Sequence, residues 1–181
     1  NGVAVDKLYE TIEQIKATPH LGSFKFRSRN RWIDGGRNQS TILNVYGAGE
    51  EQPARSEPFV LDADEPALLL GTDTAPNPVE FLLHALTACV TSSLVYHAAA
   101  KGIRIESIES RTEGDIDLRG FLGIDPAVPK GFQNIRIAFK IKADVPDDKL
   151  EELCKLGPTF SPVHDTVTRA VNVSVNLDRT D

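Results

Sequence analysis

The chain has 181 residues, 40% of them apolar and 25% charged, with a formal net charge of −6. This length suits one domain, or one domain with an added arm, and is sufficient for a hydrophobic core. The acidic balance, without a basic stripe carrying interleaved aromatics, argues against nucleic-acid binding. Two cysteines exclude a disulfide framework. We expect a cytoplasmic protein with reduced thiols, without a signal peptide, membrane span, metal or other cofactor.

The N-terminal residues predict an arm that is separate from the main domain. Residues 3–17 place apolar side chains at helical spacing with charged residues between them, which indicates an amphipathic helix ending near Pro19. We therefore expect a helical arm over residues 1–20 and the main domain over residues 21–181.

Alternation of apolar and polar residues with a period of two, typical of half-buried strands, recurs along the rest of the chain. Strands are predicted at residues 22–33, 41–46, 59–61, 68–70, 103–113, 133–142 and 171–177. A Gly35-Gly36 turn separates the first two. Nothing alternates regularly enough for a doubly wound parallel sheet, so the prediction is an α+β fold with antiparallel strands around one central helix.

That central helix is predicted over residues 77–102. Asn77 and Glu80 suit a capping box, Pro78 suits the first helical position, and Gly102 can end the helix in the left-handed conformation. Apolar residues cover most of its circumference, which predicts burial on more than one side. Its polar residues argue against a membrane span.

The C-terminal third predicts a loop, a helix and a short turn. Two prolines place a loop over residues 120–131. A helix is expected over residues 147–156, ending at Gly157-Pro158, and Ser161-Pro162 repeats the cap-plus-proline start for a short turn through Thr168.

Cys89, in the middle of the central helix, has two possible roles. A free cysteine commonly packs as a small apolar residue. A reactive one must be a thiolate, and Cys89 is about twelve residues from the helix N-terminus, too far for its dipole to help. A reactive Cys89 therefore needs a cation from elsewhere. The candidates are Arg37, beside the Gly-Gly turn, and the strand residues Arg27, Arg29 and Arg31.

Several stretches together resemble the OsmC/Ohr family, whose members include thiol-dependent organic hydroperoxide reductases. They are the run from Asn77 to Cys89, the Gly102-Ile103 pair, Ser161-Pro162-Val163 and the valine-rich final segment. The resemblance extends from about Trp32 to Leu177. It implies an intertwined homodimer in which strands of both chains wrap two central helices, with each active site at the subunit boundary.

In the peroxidase members the helix cysteine attacks the hydroperoxide, assisted by an arginine from a Gly-Gly-Arg turn and a glutamate after the helix-start proline. A second cysteine, before a proline, resolves the sulfenic acid as a disulfide. The resemblance places the attacking cysteine on Cys89 and the arginine on Arg37. The glutamate position falls on Val79, with Glu80 one residue later, and the resolving position falls on Ser161. Since serine cannot form a disulfide, an external thiol would have to reduce Cys89.

Three further residues are candidates for the surroundings of Cys89. Cys154 could replace the missing resolving cysteine only if a turn at Gly157-Pro158 returned it toward Cys89; otherwise it packs. Tyr96 lies almost two turns beyond Cys89 and could donate a hydrogen bond nearby, and His164 could face it from the later helix.

Two functions from different classes follow. The first is a one-cysteine organic hydroperoxide reductase, in which apolar surroundings favour fatty or aryl hydroperoxides. The second is a non-catalytic protein that binds a small apolar ligand at the dimer interface, where Cys89 only packs. A structural or stress-linked protein without a small-molecule site is the third alternative.

Overall fold

The computed structural model describes residues 1–178. The chain forms two compact units, one from Gly2 to Leu82 and one from Leu83 onward together with Asn1. Helices and antiparallel sheets occur together, which confirms the α+β class. The separate N-terminal arm over residues 1–20 stays a prediction.

The described helices and strands have the following bounds, and the short elements within residues 46–51 and 118–121 were not predicted. The α-helices are α1 (Val5–Ala17), α2 (Pro78–Ala100), α3 (Leu118–Phe121), α4 (Asp147–Phe160) and α5 (Pro162–Thr168). The strands are β1 (Ser28–Asp34), β2 (Arg37–Ile42), β3 (Tyr46–Gly47), β4 (Glu50–Glu51), β5 (Phe59–Ala63), β6 (Ile105–Asp115) and β7 (Asn134–Ala143).

In the unit from Gly2 to Leu82, β1, β2 and β5 form an antiparallel sheet with β2 in the centre. The predicted turn at Gly35-Gly36 is confirmed: Gly35 has a φ of 51°, and its carbonyl accepts a hydrogen bond from the Trp32 indole. The returning strand was misplaced, since it covers Arg37–Ile42 and not residues 41–46. The pairing register places Trp32, Phe59 and Leu61 on one face of the sheet. All three are exposed in the single chain, and they share this face with the hydrogen-bonded side chains of Asn30, Asn38 and Ser40.

A buried carboxylate organises the loop that leads from β5 into α2. Asp64 is 1% exposed, and its two oxygens accept hydrogen bonds from the backbone amides of Glu65, Thr72 and Thr74 and from both threonine hydroxyls. These hydrogen bonds, of which the Thr72 hydroxyl contributes most, hold the pKa of Asp64 well below its usual range. Asp64 therefore sets the path of the chain just before the central helix.

Replacing Asp64 with asparagine should lower the melting temperature by about 5 °C or more, because an amide cannot accept from all five donors. The folded-state pKa lies below the unfolded value of about 3.9, so the stabilisation is complete above that pH and declines as the pH falls through it. Thermal melts between about pH 2 and 7 follow the onset of this decline, which continues to lower pH because the folded-state pKa lies far below the unfolded one. Asp73→Asn, at an exposed position in the same loop, is the control and should change neither the melting temperature nor its pH dependence.

In the second unit α2 packs against the β6–β7 hairpin and α4. Leu86, Val90, Leu94 and Ala98 form a single buried stripe along α2 at intervals of four residues. Partly buried residues around this core are Ile103, Ile105, Ile108, Ile141 and Leu156. Burial on several sides of α2 was expected, but in the single chain only this stripe is fully buried, and residues such as Phe81, Leu83 and Val95 are partly covered. By length and apolar composition α2 would also qualify as a membrane span, a test that a buried core helix passes as well.

Helix α4 differs from its predicted end. It continues through Gly157-Pro158 to Phe160 instead of stopping there. A Cβ on Gly157 would lie 2.7 Å from Val90 Cγ1 and 2.9 Å from the Val90 carbonyl oxygen. Glycine thus permits close contact between α4 and α2, and that packing offsets the helix-breaking tendency of Pro158.

Two strand predictions were also wrong. Residues 68–70 lie in and beside a 3₁₀ helix (Ala67–Leu69), and Leu70 has a left-handed backbone with a φ of 66°. Residues 171–177 have no regular secondary structure, although their valines alternate as in a strand. A strand needs a neighbour for its backbone hydrogen bonds, and the described chain supplies none for this segment.

The balance of buried and exposed apolar residues is unusual for a chain of this length. Five apolar residues are fully buried, whereas twenty-two large apolar side chains in the described part of the chain are exposed. A domain of this size normally buries most of its apolar residues. Much of the apolar surface is therefore available for contact with another chain.

Candidate functional site

Cys89 lies on the flank of α2, between the buried stripe and the exposed side. It is a free thiol and partly exposed, so hydrocarbon does not enclose it completely. One helical turn further on, the Ser93 hydroxyl donates a hydrogen bond of 3.3 Å to the Phe160 carbonyl at the end of α4. The junction between α4 and α5 therefore lies close to the side of α2 that carries Cys89.

Ser161 occupies that junction. It is 1% exposed and is the N-cap of α5, with its hydroxyl accepting a 3.1 Å hydrogen bond from the His164 amide. The predicted cap-plus-proline start is thereby confirmed. A serine here satisfies an amide at the helix start, a role for which serine is well suited.

Cys154 is not returned toward Cys89 by a turn, because α4 continues through Gly157-Pro158. It is a free, partly buried thiol that lines a cavity together with His164, Leu86 and Val90. Cys89 is not among the described residues lining this cavity. Cys154 and His164 therefore line the same cavity. The resolving role of Cys154 depended on a turn at Gly157-Pro158 that would bring it back toward Cys89, and α4 continues as a helix through these residues instead.

The four candidate arginines differ in how they are engaged. Arg27 forms a two-pronged ion pair with Glu51, at 2.7 and 2.9 Å, which raises the pKa of Arg27 and lowers that of Glu51. Arg31 donates to the Gln39 side chain. Within residues 1–178 no ion pair or side-chain hydrogen bond is found for Arg29 or Arg37. These two guanidinium groups are the ones available for another partner.

Arg37 is exposed at the start of β2, in the unit from Gly2 to Leu82, whereas Cys89 belongs to the other unit. Their pairing stays a prediction. Glu80 is engaged in the capping box: its carboxylate accepts from the Asn77 amide at 2.8 Å, and its own amide donates to the Asn77 side chain at 2.9 Å. The predicted capping box is confirmed, and a further role for Glu80 stays a prediction.

Tyr96 is 51% exposed and points away from the buried stripe of α2. The neighbouring aromatic contact was missed by sequence analysis. The His97 ring stacks on Phe160 with centroids 3.8 Å apart and planes 22° apart. Burial, and to a lesser degree Lys101, lowers the pKa of His97. No local pattern could have revealed this contact, since the two residues are far apart in the sequence.

Asp64 was likewise missed as the residue that positions the start of α2. The residue types alone gave no signal for it: Asp73, between Thr72 and Thr74, has a left-handed φ of 55°, and this loop conformation is what brings both threonine hydroxyls to Asp64. As for metals, no group of three or more His, Cys, Asp or Glu side chains is placed to hold an ion within residues 1–178.

Comparison with known proteins identifies the family. The family model described as "OsmC-like protein" matches residues 71–176, more than half of the chain. A search of curated proteins found no match. An OsmC-like protein from Mycoplasma pneumoniae superposes with a TM-score of 0.59 at 18% identity, covering 80% of this chain and 87% of that one.

Two further solved structures share the fold. The organic hydroperoxide resistance protein OsmC from Legionella pneumophila has a TM-score of 0.52 at 17% identity, covering 79% of this chain and 88% of that one. An OsmC-like protein of unknown function from Vibrio cholerae has a TM-score of 0.54 at 12% identity, covering 78% and 92%. At such low identities these superpositions show only that the fold is shared. The family match over residues 71–176 goes further, and it shows that this chain belongs to the OsmC-like protein family.

Proposed function

We propose that this protein is a thiol-dependent organic hydroperoxide reductase of the one-cysteine type, with Cys89 as the attacking residue. The observation that carries the proposal is the partial exposure of Cys89 on α2, which leaves its sulfur within reach of a small substrate. Membership of a family with a solved neighbour named as a hydroperoxide resistance protein supports it.

In the proposed reaction the Cys89 thiolate attacks the terminal oxygen of the hydroperoxide. A sulfur–oxygen bond forms, the oxygen–oxygen bond breaks, and the alcohol leaves after taking up a proton. The sulfur is oxidised by two electrons to sulfenic acid and the peroxide is reduced by two. Arg37 would hold the thiolate, because a thiol in apolar surroundings ionises with difficulty unless a cation is near.

The second half of the cycle needs an external reductant, since Ser161 takes the place of a resolving cysteine. One low-molecular-weight or protein thiol attacks the sulfenic sulfur, forming a mixed disulfide and releasing water. A second thiol then displaces the Cys89 thiolate and leaves as the oxidised disulfide. No second residue of this chain has to supply electrons, because the external thiols return to Cys89 the two that it gives to the peroxide.

The direct test is to give the reduced protein cumene hydroperoxide together with several thiol reductants and to follow peroxide loss. We expect turnover that depends on the thiol, and a sulfenic adduct on Cys89 detectable by mass spectrometry when the thiol is withheld. Peroxide that is not consumed, with no adduct on Cys89, would contradict the proposal.

We further propose that the protein works as a homodimer. The apolar side chains of Trp32, Phe59 and Leu61 lie uncovered on one face of the sheet in the single chain, and the valine-rich segment 171–177 has exposed side chains. A second copy would remove such surfaces from water. The opposite face of the sheet carries Arg29, Arg31 and Asp62, as expected of a face in contact with solvent.

Native mass spectrometry should accordingly give the mass of two chains. Leu61→Glu, on the face that carries Trp32 and Phe59, should shift the equilibrium toward monomer, because a carboxylate would be buried in the interface. Val60→Glu, the neighbouring residue on the opposite face, is the matched control and should remain dimeric. A monomeric wild-type protein, or equal dissociation of both variants, would contradict the proposal.

The alternative function is a non-catalytic protein that binds a small apolar ligand at the dimer interface. The engagement of Ser161 as a helix cap and of Glu80 in the capping box favours it, since neither residue then needs a catalytic role. Retention of a ligand by Cys89→Ser, without peroxide consumption by the wild-type protein, would support this alternative.

A further inference from the structure

A cavity of about 430 Å³ lies within the second unit, between α2, β7, α4 and α5. Its volume is within the range of about 300–1,000 Å³ that is usual for small-molecule sites. Most of its wall is hydrocarbon. The principal apolar lining residues are Leu86, Val90, Ile135, Ile137, Phe139 and Val167.

This cavity is separate from the proposed reaction centre. Val90 lines the cavity, and Cys89, the adjacent residue, is turned about 100° around the helix axis. Cys89 is not among the described lining residues, whereas Cys154 is. The two thiols of the chain therefore report on two different places, one on the flank of α2 and one in the cavity wall.

The polar lining residues carry no permanent charge; they are Gln133, Asn134, Cys154, His164 and Thr168. Among the described residues that line the cavity, none is Asp, Glu, Lys or Arg. The Thr168 hydroxyl already donates to the His164 carbonyl at 2.8 Å. No hydrogen bond is found for the His164 imidazole in the part of the chain that the structure describes. A neutral imidazole offers one donor and one acceptor, which suits a hydroxyl head group.

We propose that this cavity binds a neutral, mainly apolar small molecule with one hydroxyl head group, such as a medium-chain or aryl alcohol, with the head at His164. The apolar wall accommodates the hydrocarbon part. A charged head group is disfavoured, because no lysine, arginine or carboxylate of the described lining would pair with it. This binding goes beyond the reductase proposal and does not depend on turnover at Cys89.

The test uses the native protein, 1-octanol as the probe and sodium octanoate as the charged comparison. N-ethylmaleimide alkylation is followed at each cysteine by peptide mass spectrometry. Octanol at about ten times its dissociation constant should slow alkylation of Cys154 about ten-fold in a saturable manner and leave Cys89 unaffected. Octanoate at the same concentration should protect Cys154 less.

Two matched tryptophan variants locate the site. Val167 is 38% exposed and lines the cavity. The variant Val167→Trp should therefore fill the cavity and abolish the protection of Cys154 by octanol. Thr166 is an exposed residue of the same helix and lies outside the lining, so Thr166→Trp should keep the protection. Circular dichroism checks that both variants fold, so loss of protection in Val167→Trp alone supports the site.

Several results would overturn the inference. They are equal protection of both cysteines, protection that does not saturate, stronger protection by octanoate, and protection that survives Val167→Trp. Resistance of Cys154 to alkylation in the ligand-free protein would also overturn it, since the cavity would then be closed. Cys89→Ser should retain octanol protection of Cys154, so failure of the reductase proposal and failure of this one give different results.

Discussion

Replacing Cys89 with serine should lower the rate of cumene hydroperoxide consumption on the order of 100-fold or more, because a serine hydroxyl is not ionised near neutral pH and cannot be oxidised to a sulfenic acid. The matched control is Cys154→Ser, at the other free thiol of the chain. It should keep the wild-type rate, since the proposed cycle draws its electrons from an external thiol. The measurement is initial rate against peroxide concentration at a fixed concentration of the reductant.

The same assay tests the arginine. Arg37→Ala should slow the reaction near neutral pH and recover part of the rate at higher pH, because a thiol without a cationic neighbour ionises only at a pH of about 8.5. Arg29→Ala, at the other unengaged arginine, is the matched control and should behave like the wild-type protein. A full rate in Cys89→Ser would remove Cys89 from the role proposed for it. Loss of the rate in Cys154→Ser would instead contradict the one-cysteine cycle.

Gly157→Ala should destabilise the protein by about 1–2 kcal/mol, although alanine is the better helix former. A Cβ at this position would lie 2.7 Å from Val90 Cγ1 and 2.9 Å from the Val90 carbonyl oxygen, so α4 would have to move away from α2. Overpacking of a core costs about 1–3 kcal/mol, and the gain in helix propensity returns at most about 1 kcal/mol. Urea unfolding monitored by circular dichroism measures the difference.

Lys155→Ala is the control for this prediction, because it changes an exposed residue of the same helix and should alter stability little. In the double variant Val90→Ala with Gly157→Ala, the loss of stability should be smaller than the sum of the losses in the two single variants. Val90→Ala removes the clash of the new Cβ with Val90 Cγ1, whereas the clash with the carbonyl oxygen of residue 90 remains. An increase in stability on Gly157→Ala would show that α4 does not rely on close contact with α2.

The elements predicted best were those with a complete local signal. Asn77, Pro78 and Glu80 provide every group of the N-terminal cap of α2, and the observed hydrogen bonds are those that the residue types require. The same holds for Ser161 at the start of α5. For the candidate site the sequence singled out Cys89 and Arg37, and it also showed that Ser161 departs from the two-cysteine pattern.

The predictions that were wrong each concern a segment whose conformation depends on distant atoms. Gly157-Pro158 breaks a helix in isolation, but contact with Val90 keeps α4 continuous. Residues 171–177 alternate as a strand does, yet a strand forms only where another supplies hydrogen bonds. Asp64 was overlooked because its stabilising role depends on five hydrogen-bond donors, and only the folded loop brings these donors close to one carboxylate.

By itself the sequence determined the α+β class, the central helix with both of its ends, the hairpin at Gly35-Gly36 and the family resemblance, because periodicity and capping chemistry act between residues close in the chain. Only the tertiary structure decided that Cys89 lies on a flank of α2 and that Cys154 and His164 line a separate cavity. The direction in which a side chain points, and the residues that it contacts, follow from the packing of whole helices and strands against one another, which no local pattern specifies.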